Sequence, residues 1–448
     1  MLIEFSTENF KSIKNKMTFT MQASYYRSLS KNVARIELPQ IEGKKNVNKI
    51  LKTSIIYGAN ASGKSNLLKA MDIIRKIIIH SNTHQPNQKF PIDSFRLDLT
   101  CSKKPTRFEF IFIQKGIKYA YQVVLTSKEV LEECLYYWPN GRQVKIFERE
   151  KNNIVFGGSY KAKNKEDELR NKIYAEDTAE NILFLSMANK VNIQPIKDAF
   201  TWFATKLVII NRQNGIGDET TRMLAEHFIT KQEVLNYLKV ADSKITDFTL
   251  VESDADLDAN HPVNNFIKTV ILPEIARKEN IKIEDIGKIV GKSYNEKIKR
   301  YGISETGERI LVDFDISDES DGTQRYYGLI GPIISCLKRG CTVLYDELEL
   351  RLHPLLAKGI IELFTSDINK NDAQLIITSH NVNLLDTKGL FRKDQIWFTE
   401  KNEYSETELY SLDDITGVRH SMIKAKNYLK GSFGAIPDLN WEEIKLEK

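Results

Sequence analysis

Apolar and polar positions alternate from Leu2 to Phe10 and again from Lys16 to Met21, which predicts two strands paired as a hairpin. Lys52 to Tyr57 is a short β-branched, aromatic-ended run and predicts a strand, with the chain from Val47 leading through it toward a glycine-containing loop. The period then lengthens. Leu67 to Ile79 places apolar side chains three and four residues apart, the spacing of a helix. Four strand-like runs follow: Thr106–Ile113, Lys118–Leu125, Glu129–Trp138 and Val144–Glu150. Turn residues such as Lys115-Gly116 and Pro139-Asn140-Gly141 split them, so they predict an antiparallel sheet of hairpins. Lys161 to Phe200 reads mostly as amphipathic helix, and Lys206 to Ile210 as another buried strand. Asp218 to about Gly287 reads as largely helical with an extended piece near Thr246–Glu252, and Lys288 to Phe314 as strands around a charged turn. The C-terminal third alternates: helix Gly322–Leu337, strand Thr342–Tyr345, helix Pro354–Phe364, strand Gln374–Thr378, then a closing pair at Gln395–Phe398 and Glu406–Tyr410. Short apolar strands followed by helices predict an α/β fold with a parallel sheet covered by helices. No heptad pattern persists for three repeats, so no long coiled coil is expected. The resulting division is an N-terminal lobe over 1–211 with an antiparallel subdomain at about 88–150, a mainly helical insertion over 212–300, and a C-terminal lobe over 301–448.

The 448 residues, 41% of them hydrophobic, suffice for a large core or two to three domains. The net charge of +5 permits contact with nucleic acid without requiring it. Cys101, Cys134, Cys336 and Cys341 show neither C-x-x-C spacing nor a pairing logic and read as reduced thiols. The first residues lack the basic-then-apolar order of a signal peptide, and no apolar run reaches the ~18 residues of a membrane span. A cytoplasmic protein without membrane contact is expected.

Gly58-Ala59-Asn60-Ala61-Ser62-Gly63-Lys64-Ser65 matches G-x-x-x-x-G-K-[ST], the phosphate-binding loop of nucleotide hydrolases. It lies between the predicted strand and the predicted helix, where backbone N–H groups and a helix N-terminus converge on one point. Gly58, Asn60, Ala61, Ser62, Gly63, Lys64, Ser65 and Asn66 are the expected ATP-binding set, with Lys64 on the β- and γ-phosphates and the Ser65 hydroxyl on Mg²⁺. Thr342–Glu347 is an apolar strand ending in two carboxylates. Asp346 is the expected second magnesium ligand, and Glu347 the base that deprotonates the attacking water. A further strand ends at His380, which reads either as a γ-phosphate contact or as a cap for the next helix. Ser320 and Gly322 open the helix that ends near Leu337. They read as an anion grip or as plain N-capping. The acidic run Glu252, Asp254, Asp256 and Asp258 reads as a solvated loop in preference to a metal site, and Lys103-Lys104 and Lys297–Arg300 as solvated turns.

The order of phosphate loop, Ser-x-Gly helix start, Asp-Glu strand and His strand resembles the ABC-type ATPases, in the branch of SMC heads, the RecF repair protein and the overcoming-lysogenisation (OLD) ATPases. Asn9-Phe10-Lys11-Ser12-Ile13 resembles the opening of that branch. Glu319–Thr323, Asp346–Pro354 and the tail Tyr428–Pro437 resemble stand-alone ATPases of abortive-infection and anti-phage operons. The likeness spans nearly the whole chain and is weakest over about 212–300. It departs from transporters at Glu319 and Asp321, shows no clear glutamine loop between Ile79 and Arg107, and is expected to lack the Toprim nuclease module of the OLD enzymes.

The resemblance implies an ABC-type ATPase head that works as a head-to-tail homodimer or a higher oligomer, with two ATP molecules and Mg²⁺ at its seam. Lys64, Ser65, Asp346, Glu347 and His380 would act in cis, and Ser320 and Gly322 in trans. Lys11 would either approach the phosphates or stand exposed, and His353 would either border the seam or start a helix. The implied function is an ATP-hydrolysing switch in anti-phage defence. It would respond to a phage-derived trigger and control a separate effector, a nuclease or toxin. A RecF-like DNA clamp and a slow-turnover, ATP-locked scaffold are the competing readings.

Overall fold

The computed structural model describes residues 1–40, 46–160, 162, 164–188, 190–191, 193–210, 218–254, 292–418 and 422–437. Asp256, Asp258 and the helical reading of 255–287 lie outside the described residues. In chain order the strands begin with β1 (Leu2–Glu8), β2 (Met17–Thr20), β3 (Val33–Leu38), β4 (Asn46–Leu51) and β5 (Thr53–Gly58). There follow β6 (Thr106–Gln114), β7 (Ile117–Leu125), β8 (Val130–Trp138), β9 (Val144–Glu150), β10 (Asn153–Phe156) and β11 (Leu207–Ile210). The remainder are β12 (Asp247–Asp254), β13 (Lys292–Ile303), β14 (Arg309–Asp315), β15 (Thr342–Tyr345), β16 (Gln374–Thr378), β17 (Ile396–Lys401) and β18 (Thr407–Ser411).

The chain forms two compact units, one of Met1–Asn214 with Cys336–Lys448 and one of Gly215–Ser335. Among its described residues the first unit has two large sheets and a small two-stranded one, β3-β4. An antiparallel sheet runs β10-β9-β8-β7-β6-β1-β2, and a mixed sheet runs β11-β15-β16-β5-β17-β18. In the mixed sheet β11, β15, β16, β5 and β17 are parallel, and β18 closes it antiparallel to β17. Every residue of β5, β15 and β16 is buried, as the unbroken apolar runs require of central strands. Because these strands are parallel, their carboxyl ends share one edge, the usual place for a ligand in such a sheet.

One core fills this unit. Phe5, Phe108, Phe110 and Phe112 from the antiparallel sheet meet Leu67, Met71 and Ile74 of the helix Lys64–His80, and Ile56, Leu344, Ile376 and Trp397 of the mixed sheet. Gln374 ties the two sheets together. Its Oε1 accepts from Leu2 N–H at 2.6 Å and from the Thr342 hydroxyl at 2.8 Å, and its Nε2 donates to Leu2 O at 2.9 Å and Leu51 O at 3.0 Å. A buried ion pair pins the antiparallel sheet to the segment 179–185. Glu133 accepts from Tyr121 Oη and from the N–H groups of Phe184 and Leu185, while Arg149 donates to Ile182 O and Ala179 O. Each guanidinium nitrogen of Arg149 has an acceptor, Lys151 O being the third, which lets the pair be tolerated in a dry core.

The second unit holds the helices Asp218–Ala225 and Lys231–Ala241 and an antiparallel sheet β12-β13-β14. Phe248 and Ile298 are fully buried there, and Phe248 packs on Tyr327.

Several expectations need revision. In the stretch 212–300 the described residues hold the helices Asp218–Ala225 and Lys231–Ala241 and the strands β12 and β13, and β13 pairs with β14 in the same unit. Lys297–Arg300 lie in strand β13, not in a turn: Lys297 and Lys299 approach Asp315 and Asp313 at 3.6 Å. Among the described residues, Lys161–Phe200 is α-helical at Lys165–Glu176 and from Gln194 onward. Between them Leu183–Met187 is too apolar to sit on an amphipathic surface helix and enters the core around a 3-10 turn. The strand expected at Lys52–Tyr57 is β5 in the mixed sheet, and the residues before it form β4, which pairs with β3.

Candidate functional site

The phosphate loop leaves the carboxyl end of β5 and turns into the helix Lys64–His80. Ala61 and Gly63 have left-handed backbones, with φ of 63° and 110°. A side chain at Gly63 would place its Cβ 2.2 Å from Thr407 Oγ1, so glycine is required there on two counts. Lys64 is buried, and its ammonium donates to Gly58 O at 2.8 Å and Ala59 O at 3.0 Å, which curls it over the loop's own carbonyls.

The next strand in the sheet, β16, and then β15 bring the acids alongside. Ser65 Oγ lies 3.0 Å from both carboxylate oxygens of Asp346. Thr378, the last residue of β16, donates its hydroxyl to Asp346 Oδ1 at 2.6 Å and accepts from Glu347 N–H at 2.9 Å. One hydroxyl thus fixes the first carboxylate and the backbone of the second. Glu347 has φ of 55°, a strained conformation for a residue with a Cβ. His380 Nε2 stands 3.6 Å from Glu347 Oε1, and the backbone N–H of His380 donates to Glu349 Oε1 at 2.6 Å. The cap reading of His380 is not what its side chain does. The helical turn Asn383–Asp386 begins after Val382, with no side-chain cap.

Strands β17 and β18 wall the loop from the other side. Thr399 Oγ1 and Ser62 Oγ are 2.7 Å apart. Thr407 Oγ1 lies 2.9 Å from Ser62 O and 2.7 Å from Ser12 Oγ, which also accepts from Asn66 Nδ2 at 2.7 Å. Lys11 does not reach the loop by these contacts: its ammonium pairs with Asp93 at 2.7 Å. It borders a cleft of about 350 Å³ lined also by Ser12, Phe95, Arg96 and Lys401. Thr399 and Thr407 carried no signal in the sequence. Thr378 shows only as a polar residue ending an apolar strand, and Ser12 and Glu349 only as members of the runs Asn9–Ile13 and Asp346–Pro354.

Ser320 and Gly322 belong to the second unit, the phosphate loop and carboxylates to the first. Ser320 is exposed, and its Oγ accepts from Thr323 N–H at 3.2 Å as an N-cap of the helix Asp321–Arg339. Glu319 before it is gripped by Arg300 at 2.8 to 3.0 Å, and Arg300 also holds Asp242 at 2.6 Å. His353 caps the helix Pro354–Thr365 through Nδ1, accepting from Leu355 N–H at 3.2 Å, and is exposed.

The donor set fits magnesium and a triphosphate. Ser65 and Asp346 offer oxygen ligands of the kind magnesium takes, and a buried lysine stands at the loop. Among the described residues no cluster of three or more His, Cys, Asp or Glu suggests another metal site, and no helix is long and apolar enough to cross a membrane.

A family model described as "AAA domain, putative AbiEii toxin, Type IV TA system" matches residues 54–177 and 224–386. No curated protein matches the sequence. Solved structures similar to the chain include an SMC head bound to the C-winged helix domain of ScpA, at 13% identity and a TM-score of 0.35, covering 92% of this chain and 97% of that one. Another is the SMC head domain from Thermotoga maritima, at 10% identity and a TM-score of 0.38, covering 92% and 98%.

Proposed function

The chain belongs to this family of AAA domains, and we propose that it binds and hydrolyses ATP as a homodimeric switch that controls a separate effector in anti-phage or abortive-infection defence. The observation that carries the reading is the convergence of the Ser65 and Thr378 hydroxyls on Asp346, with Glu347 and His380 beside it. The family description, a putative AbiEii toxin of a Type IV TA system, supports a place in a defence system of that kind.

Lys64 would turn from its loop carbonyls to the β- and γ-phosphates. Loop N–H groups and the helix start would cradle the remaining charge. Magnesium held by Ser65 and Asp346 would offset phosphate charge. Glu347 would take the proton of the attacking water, and His380 would hold that carboxylate and contact the γ-phosphate. Ser320 and Gly322 of a second copy would complete the pocket. ATP would then join two chains and hydrolysis would part them, a two-state element set by the γ-phosphate.

Sedimentation with and without Mg²⁺-ATP, beside phosphate release, tests this. Wild type should hydrolyse ATP, Glu347→Gln should accumulate an ATP-bound species of twice its nucleotide-free mass, and Ser320→Arg should lose both hydrolysis and that ATP-dependent doubling. Unchanged hydrolysis in Ser320→Arg would remove the trans arrangement. For the defence role, wild type, Lys64→Ala and Glu347→Gln are expressed with and without the neighbouring gene during phage challenge. Equal survival throughout would remove that role.

A further inference from the structure

We infer that strand β14 is a second self-association surface, through which two copies of the chain pair edge to edge about a two-fold axis at Val312. This surface uses none of the residues assigned to the nucleotide site.

Among the described residues β14 is one of the two outer strands of β12-β13-β14. Its register with β13 is unbroken from Arg309 to Asp315, with no bulge and no proline. Proteins usually blunt such an edge with lysine, proline or a bulge. Here Ile310, Leu311 and Phe314 stand 41%, 52% and 39% exposed.

The hydrogen-bond phase shows which backbone groups face outward. Ser304 N–H donates to Glu308 O at 2.9 Å, so Ser304 and Glu308 form a hydrogen-bonded pair closing the β13–β14 hairpin. Alternation then makes Ile303–Arg309 and Tyr301–Leu311 non-hydrogen-bonded pairs, and Arg300–Val312 a hydrogen-bonded one. Lys299, which faces Asp313, agrees: its carbonyl accepts from Thr246 N–H on the side away from β14. The odd residues of β14 therefore turn their N–H and C=O groups outward. The Asp315 N–H is taken by the Asp318 carboxylate, which leaves Arg309, Leu311 and Asp313 to offer donors.

The sequence of the edge is complementary to itself when reversed. Antiparallel pairing about Val312 sets Arg309 against Asp315 of the second copy, Ile310 against Phe314, and Leu311 against Asp313. Two Arg–Asp pairs then flank two Ile–Phe pairs, combinations that stabilise cross-strand contacts. Leu311 and Asp313 fall in hydrogen-bonded positions, and Val312 meets its symmetry mate in a non-hydrogen-bonded one. Shifting the register by two toward Asp315 would set Asp313 against Asp313, a repulsive pair. The apolar side chains of Ile310, Val312 and Phe314 share the face of Ile298, so pairing would extend a core that stops short at this edge. The contact is isologous, as a closed dimer requires.

Sedimentation of the nucleotide-free full chain tests the inference, at concentrations on the order of tens of micromolar. Wild type should sediment at twice the 51.6 kDa of one chain. Leu311→Pro removes an outward N–H and leaves the ladder to β13 intact, so it should halve that mass. Arg309→Asp should do the same, and Arg309→Asp with Asp315→Arg should restore the dimer. A Val312→Cys chain should form an intermolecular disulfide under mild oxidation, since non-hydrogen-bonded antiparallel pairs lie within disulfide reach, and Asp313→Cys should not. A single-chain mass for nucleotide-free wild type, a dimer that survives Leu311→Pro, or equal crosslinking at both positions would overturn it. Performing the series in a Lys64→Ala background keeps the result independent of the ATP-driven dimer.

Discussion

Removing the Thr378 hydroxyl would uncouple two carboxylates that the fold holds in register. Thr378→Val keeps the shape of the side chain and loses both of its hydrogen bonds, to Asp346 Oδ1 and from Glu347 N–H. Partners of metal ligands commonly contribute ten- to hundredfold, so phosphate release should fall by about that factor and need more Mg²⁺ for half-maximal rate. A magnesium titration of steady-state turnover reads both. Glu347→Gln should cost more, about 10²- to 10⁴-fold in turnover, while ATP remains bound. Filter binding beside phosphate release separates the two effects. Lys64, Ser65, Asp346 and Glu347 were legible as residues because a sequence motif and a strand end mark them. Thr378 was visible only as a polar terminus, since nothing local says which carboxylate its hydroxyl will meet.

At the scale of elements, the loop depends on the β17–β18 hairpin behind it. Gly63→Ala combines a φ of 110° with a Cβ 2.2 Å from Thr407 Oγ1. It should lower stability by about 1–3 kcal/mol and abolish the stabilisation that ATP gives in thermal melts. Adding Thr407→Ala relieves the closest contacts but not the backbone, so melting should recover only in part. The antiparallel sheet has its own dependence. Burial pushes the Glu133 carboxyl up while Arg149 pulls it down. Arg149→Met would leave that carboxylate buried without its cation, at a cost of about 3–5 kcal/mol. The folded variant would then keep a proton that the unfolded chain has already released. Its stability should be highest below the ordinary carboxylate range and fall as pH rises through the raised Glu133 value. Urea midpoints between about pH 4 and 8 would show this slope steeper than in wild type. Period-two alternation made β1, β2 and β6 to β9 legible. The segment Leu183–Met187 was not, because an apolar run of that length fits a helix face or a core turn equally well.

For the whole molecule, the division into two units leaves Ser320 and Gly322 in one and Lys64, Ser65, Asp346, Glu347 and His380 in the other. If the serine serves a second copy, mixing two inactive chains should restore activity. Lys64→Ala retains a sound Ser320, and Ser320→Ala retains a sound loop, so each mixed dimer would hold one complete pocket. An equimolar mixture should reach about a quarter of wild-type turnover, where either variant alone stays near background. No recovery on mixing would place both halves of the pocket in a single chain. Local sequence was enough to mark a glycine loop between strand and helix, two acids closing an apolar strand, and the alternation that builds the sheets. These are local patterns, set by backbone sterics and by the burial of side chains a few residues apart. Tertiary structure alone decided which hydroxyls serve the loop and the acids, because those partners are remote along the chain. Ser65 and Asp346 are separated by 281 positions, Ser62 and Thr399 by 337, and Ser62 and Thr407 by 345. Only the order of strands in the mixed sheet brings such positions to one edge, and that order is fixed by packing across the whole unit rather than by any segment within it.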